Sequence, residues 1–260
     1  MKRKLSLITL FASLIFTNST IAEHYKIAFG SCLDQEDPQP IWNSVFKEDI
    51  DSFIFLGDNV YGDIPSGKLN KMHEAYKLQS KMIPSWLFKK NVEVIWDDHD
   101  FGENDGGASY PLKHEAQKLY LDFWKIPSND VRHTREGIYT LLATEHRFEK
   151  WSNFPKDHLK LKNLLKSQSR PIVVISGDRH QGAIYKDENI YEITSSSLNK
   201  TISSVFGRPK EEDKYMIGEM FSGENYGLIT VDADKKLIDL EIKDIHGNRV
   251  RYKTIDIKKG

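Results

Sequence analysis

The chain has 260 residues, of which 39% are hydrophobic and 29% charged, with a formal net charge of −1. That length and balance can bury a sizeable core in one large domain or two small ones. The near-zero charge excludes a global basic field for a nucleic-acid scaffold and an acidic tail, so function must come from a local site.

In chain order, the first segment reads as a processing signal. "MKRK" is a basic start, "LSLITLFASLIF" an apolar run, and Thr20 and Ala22 sit at the −3 and −1 positions of a cut before Glu23. Residues 1–22 are therefore expected to be a signal peptide, and residues 23–260 an exported domain, periplasmic or secreted. The apolar run is short for a membrane span of about 20 residues. No other stretch could cross a bilayer, so no stable span is expected after cleavage. Cys32 is the single cysteine. In an exported chain it is a buried inert thiol, half of an intermolecular disulfide, or a metal ligand.

Four segments then share one grammar, a short Ile/Val/Phe run followed abruptly by a polar loop. They are "HYKIAFGSC", "DSFIFLGDNVYGD", "NVEVIWDDHDFGENDGG" and "RPIVVISGDRHQG". Such runs read as strands buried on both faces. Between them "QPIWNSVFKED", "GKLNKMHEAYKLQSKM", "LKHEAQKLYLDFW" and "KDHLKLKNLLKS" carry helical spacing. Strand alternating with helix predicts an α/β sheet with ligands beyond the strands' carboxyl ends. The end of the chain, "GLITVDADKKLIDLEIKDIHGNRVRYKTIDI", alternates around two turn signals and predicts a three-stranded antiparallel meander.

The strand-end loops hold Cys32, Asp58, Tyr61, Asp97, Asp98, His99, Asp178 and His180, all metal-ligand side chains, expected at one edge of one sheet. Gly57 permits a sharp turn, after which Asp58 and Tyr61 can converge on one ion. Asp178 and His180, two apart, should point the same way in an extended loop. Each stretch has a plainer account: a turn, a solvated charge run, a helix cap, a packed tyrosine. Four such loops at four strand ends point instead to cations that offset the crowded acids. Adjacent carboxylates suggest a pair of ions sharing a carboxylate, with Asp58 as the bridge.

The ordered motifs "FGSC", "GDNVYGD", "WDDHDFG", "NDGG", "SGDRHQG" and "TSSSLN", with "YPLKHEAQKLYLDFWKIP", "REGIYT" and "EKWSNFP" between them, resemble the alkaline phosphatase D (PhoD-like) family of metallophosphoesterases. The resemblance implies an α/β metallophosphatase-type two-sheet sandwich flanked by helices, here extended by the meander. It implies a two-metal centre, with Fe3+ held by Cys32, Asp58 and Tyr61 and a second divalent ion, Ca2+ or else Zn2+ or Mn2+. Asp98, Asp178 and His180 align with further ligands and His99 with the histidine near the leaving group. Asp97 and Asn104 would be auxiliary ligands or supports. The implied reaction is hydrolysis of a phosphate ester, monoester or diester, by metal-activated hydroxide. Arg132 and Arg135 are candidate phosphate clamps, since guanidinium grips phosphate at two points, and His146 could line the pocket.

The match breaks between about Thr144 and Glu145, where relatives continue for several dozen residues that include two core strands. The sandwich is thus expected to be incomplete in the centre, with reduced activity. The alternative is an inactive, metal-binding remnant. A serine hydrolase is a weaker third reading, because Ser176 lacks a Gly-x-Ser-x-Gly elbow.

Overall fold

The computed structural model describes residues 24–135, 137–138, 155–201 and 213–259. The expected signal peptide, His146 and the junction at Thr144 lie outside the described residues.

Three parallel strands, β1 (His24–Gly30), β2 (Ser52–Leu56) and β3 (Asn91–Ile95), form one half of a six-stranded sheet. The meander forms the other half as β7 (Asn225–Asp232), β8 (Leu237–Asp244) and β9 (Arg249–Asp256). It is joined edge to edge, since β7 runs antiparallel to β1, and the order is β3-β2-β1-β7-β8-β9. The helices fall where their spacing predicts: α1 (Ile41–Lys47), α2 (Asn70–Met82), α4 (Lys113–Phe123) and α5 (Pro155–Lys166). A short α3 (Asp98–Phe101), inside the acidic loop, is an addition.

The fourth apolar run departs from expectation. Strand β4 (Ile172–Ser176) belongs to a second, mixed sheet of order β4-β6-β5. Its partners are a hairpin that the sequence reading did not identify, β5 (Gly182–Asp187) and β6 (Ile190–Ser195), turning through Glu188 with φ +56°. The hairpin takes the parallel partner of β4 away from the large sheet. A local apolar run carries no label saying which sheet it joins. The signal that was there is the alternation in "AIYKDENIYEI" around a polar turn.

Period-two burial divides the large sheet between two cores. Ala28, Phe53, Phe55 and Leu228 face α1, α2 and α4 with Trp42, Met72 and Tyr120. Phe29, Leu56 and Ile229 face the small sheet with Ile184 and Ile193. Gly227 is required here, because a Cβ would lie 2.1 Å from the Phe29 ring. The layers are helices, large sheet, small sheet and α5, the two-sheet sandwich that was expected. Strand β4 is the weak margin: among the described residues it pairs on one side only, and Ile172 to Ile175 are half-buried rather than sealed on both faces.

Candidate metal centre

Each loop is bent into place by unusual backbone. Cys32 (φ +58°) follows β1, and Gly57 (φ +94°) with Asp58 (φ +49°) follows β2. Such angles are uncommon outside glycine and mark positions held by their surroundings. A side chain at residue 57 would place Cβ 2.5 Å from Asp97 Cβ, so glycine is needed for the β2 and β3 loops to touch.

The Asp58 carboxylate is buried and central. Its Oδ2 accepts from the Tyr61 hydroxyl at 2.9 Å and from the Cys32 thiol at 3.5 Å. Its Oδ1 is buried without a hydrogen-bond partner. Asp58 and Tyr61, read from the sequence as able to converge on one ion, are hydrogen-bonded to each other. Two sets of donor atoms lie within 4.8 Å of one another, Cys32 with Asp58 and His180, and Asp58 with Asp98 and His99. Asp58 belongs to both.

The acidic loop after β3 is divided between structure and site. Asp97 caps α3, accepting from Asp98 N at 3.1 Å. Asp100, which was not singled out, is fully buried and accepts from Asn59 N, Asn59 Nδ2 and Asp97 N, locking the β2 and β3 loops together. Asp98 is held by His99 N at 2.8 Å and Asp105 N at 2.7 Å. The Asn104 amide binds Asp105 at the surface.

His99 Nδ1 lies 2.6 Å from Asp63 Oδ1, and its ring packs on Tyr61 at 4.3 Å. Asp63 is the main residue that sequence reasoning missed. The signal was a second acid five residues after Asp58 in "GDNVYGD". Burial disfavours the His99 cation, but the Asp63 hydrogen bond and the charges of Asp58 and Asp98 prevail and raise its pKa to about 9.

Asp178 and His180 arrive from the small sheet, so the centre straddles two sheets rather than one edge. Neither is extended: φ is +68° at Asp178 and +51° at His180. His180 joins Cys32 and Asp58, while Asp178 is in neither donor set, although its charge is felt by both. The two sheets approach closely because residue 177 is glycine. A Cβ there would lie 2.6 Å from Ser31 Oγ. The "TSSSLN" segment holds this side: Ser31 N donates to Ser195 O, Leu198 N to Ser31 O, and the Lys200 carbonyl sits 2.7 Å from His180 Nδ1. A carbonyl can only accept, so Nδ1 carries the proton and the ring lone pair is on Nε2, the tautomer a metal-ligating histidine needs.

Arg132 forms a two-point pair with Asp130 at 2.9 and 2.8 Å, and none of its contacts is to a member of the centre. Arg135 lines a cleft with His114, Gln117 and Thr134 along α4. Ser176, the serine weighed for the serine hydrolase reading, is buried and donates to Glu192 at 2.7 Å rather than to a histidine.

Burial, followed by the neighbouring carboxylates, raises Asp58 and Asp178 to about 7. Burial and Asp58 likewise push the Cys32 thiol and the Tyr61 phenol upward. Cys32 is wholly buried, out of reach of an intermolecular disulfide. A buried group of thiol, phenol, imidazole and carboxylates with an orphaned oxygen fits polyvalent cations, which would replace protons there.

No family model matches the chain, and no curated protein sequence matches it. Among solved structures it is similar to GAP50, described as the anchor in the inner membrane complex of Plasmodium. The TM-score is 0.57 at 11% identity, over 90% of this chain and 89% of that one. It is also similar to an uncharacterised Streptococcus pneumoniae protein described as a predicted phosphoesterase, at TM-score 0.38 and 11% identity, over 89% and 97% of the chains. A Thermotoga maritima protein gives TM-score 0.34 at 14% identity, over 89% and 99%. At 11% identity the likeness to GAP50 is one of fold alone.

Proposed function

We propose that this chain is an exported two-metal phosphoesterase of the alkaline phosphatase D type, hydrolysing phosphate esters. The observation that carries the reading is the membership of Asp58 in both donor sets, with Oδ1 buried and unbonded. A carboxylate in that position is what a bridged pair of cations needs. Cys32, Asp58, Tyr61 and His180 would hold one ion, Fe3+ by the chemistry of thiolate and phenolate. Asp58 and Asp98 would hold the second, a divalent ion such as Ca2+, Zn2+ or Mn2+, with Asp178 as a neighbouring carboxylate. Bound cations at this place supply Lewis acidity at the phosphoryl oxygens and lower the pKa of water.

The chain's own groups do the rest. Asp63 fixes His99 through Nδ1 and so orients the ring beside Asp58 and Asp98. The hydrogen bond from Asp63 favours the protonated imidazole, and His99 would give that proton to the departing ester oxygen. Asp100 and Gly57 keep the acidic loop against the bridge, and the Lys200 carbonyl keeps the His180 tautomer. The half-buried β4 favours a second reading, an inert metal-binding remnant whose pocket lacks a wall.

The test is metal analysis of the pure chain together with turnover of a chromogenic phosphate monoester and diester, with and without chelator. Chelator-sensitive hydrolysis is expected. Bound metal without turnover selects the remnant, and activity indifferent to chelators sinks both readings.

A further inference from the structure

The end of the large sheet opposite the centre carries a feature that hydrolysis does not use. Because β1, β2 and β3 are parallel, their starts lie together: Asp51 N donates to Lys26 O at 2.9 Å, and Asn91 N to Asp51 O at 3.2 Å. Around those starts aromatic side chains reach into solvent. Phe46, in the last turn of α1, is 61% exposed, and Phe88, just before β3, is 55% exposed. Trp86 stands edge-on to Phe46 at 5.2 Å. Tyr25, at the start of β1, is also exposed. Single exposed apolar residues are ordinary, but several large rings at one place mark an interaction surface.

Lys47, Lys89 and Lys90 are interleaved with these rings. Of the nearby acids, Asp49 pairs with Lys90 at 3.1 Å, Glu48 is held by Lys243 and the Tyr226 hydroxyl, and Asp51 accepts from Lys26 N at 2.7 Å. Among the described residues neither Lys47 nor Lys89 is in an ion pair. The surface is therefore aromatic with a positive surplus.

We propose that this end of the fold docks on an anionic lipid bilayer, with Phe46, Trp86 and Phe88 entering the headgroup boundary while Lys47 and Lys89 meet lipid phosphates. Rings beside snorkelling lysines suit that boundary, where one part of each side chain is apolar and the other wet. A protein partner fits less well, since the centres of protein interfaces are depleted in lysine. Docking also orients the molecule. The candidate centre lies at the far ends of the same strands, roughly 17 Å away for five residues at about 3.4 Å each. On the phosphoesterase reading, its substrate is then a soluble ester rather than a headgroup of the supporting bilayer.

The test uses the full chain with vesicles of brominated phosphatidylcholine, alone or mixed with phosphatidylglycerol. Mixed vesicles are expected to quench a part of the fluorescence that is missing in Trp86→Phe. The apolar N-terminal segment, present in every variant, cannot produce that difference. The double substitution Phe46→Ser with Phe88→Ser should remove the Trp86 quenching. Lys47→Gln and Lys89→Gln should each weaken binding to mixed vesicles roughly five-fold at low salt. Phe46, Phe88, Lys47 and Lys89 are exposed while Trp86 is half-buried against the core, and unchanged thermal unfolding of each variant checks the fold.

Equal quenching in wild type and Trp86→Phe, or binding indifferent to phosphatidylglycerol, would overturn the proposal. So would a dimer in sedimentation that the double substitution dissolves, because the surface would then join two copies. Quenching needs no turnover, so an inactive chain that still docks would sink the phosphoesterase reading and leave this one standing.

Discussion

The two sheets bring unequal foundations to one centre. The large sheet delivers Cys32, Asp58, Asp98 and His99 from strands flanked by fully buried Ala28, Phe53 and Phe55, with buried Asp100 tying adjacent loops together. The small sheet delivers Asp178 and His180 from β4, whose four aliphatic residues are only half-buried. His180 owes its position more to the Lys200 carbonyl, beyond the end of β6, than to its own strand. The bridging half of the site can thus be stiff while the other half depends on a few ties. That is also the half nearest in sequence to the expected missing stretch.

The largest effect expected from breaking this contrast is at the bridge itself. Asp58→Asn removes the one carboxylate common to both donor sets, so metal analysis should show bound metal lost and chelator-sensitive turnover abolished. If metal stays at the wild-type level, Asp58 is not the bridge. His99→Asn should lower kcat by about 10²–10⁴-fold, the usual worth of a positioned acid, while metal content is kept. Asp63→Asn should take a smaller part of that factor and restore little when combined with a conservative change at His99.

Stability should separate the two sheets. Phe53→Ala opens a cavity in a sealed core and should cost about 3–5 kcal/mol. Val174→Ala, on the half-open β4, should cost at most about 1 kcal/mol by the area it buries. Denaturant midpoints measure both, and equal losses would mean that β4 is as well packed as β2.

The pH dependence of the metal-free chain is a subtler check. Burial and then neighbouring carboxylates hold Asp58 and Asp178 up near 7. Between the ordinary carboxylate range of about 4 and that value, the folded chain keeps protons that the unfolded chain has released. Stability of the stripped protein should therefore fall as pH rises across this window. Cations replace those protons, so the gain in melting temperature on adding metal should grow as pH passes about 7. A gain independent of pH would place the metal elsewhere. The smallest expected signal is optical: iron-loaded protein should absorb visible light through Tyr61, and Tyr61→Phe should lose that band while keeping the fold.

Most of the centre was legible because its signals are local. A strand-ending glycine, an acid directly after it and a phenol three residues on can be read without knowing what else approaches, and Tyr61 does meet Asp58. Asp63 and Asp100 were missed because nothing in "YGD" or "DDHDFG" tells a partner of His99 from a solvated acid. Only the approach of the β2 and β3 loops makes that distinction. Asp97 and Asn104, read as auxiliary ligands or supports, are found capping α3 and bonding the surface Asp105.

What the chain alone determined is the alternation of apolar strands with amphipathic helices and the placing of ligand-type side chains after those strands, since both follow from periods of 2 and 3.6 residues and from backbone turns. The partition of the strands into two sheets was decided only in three dimensions. So were the left-handed backbone at Asp178 and His180 and the carbonyl that holds His180. These depend on contacts between residues far apart in the chain, such as Gly177 against Ser31. No local pattern encodes the space a missing Cβ leaves open.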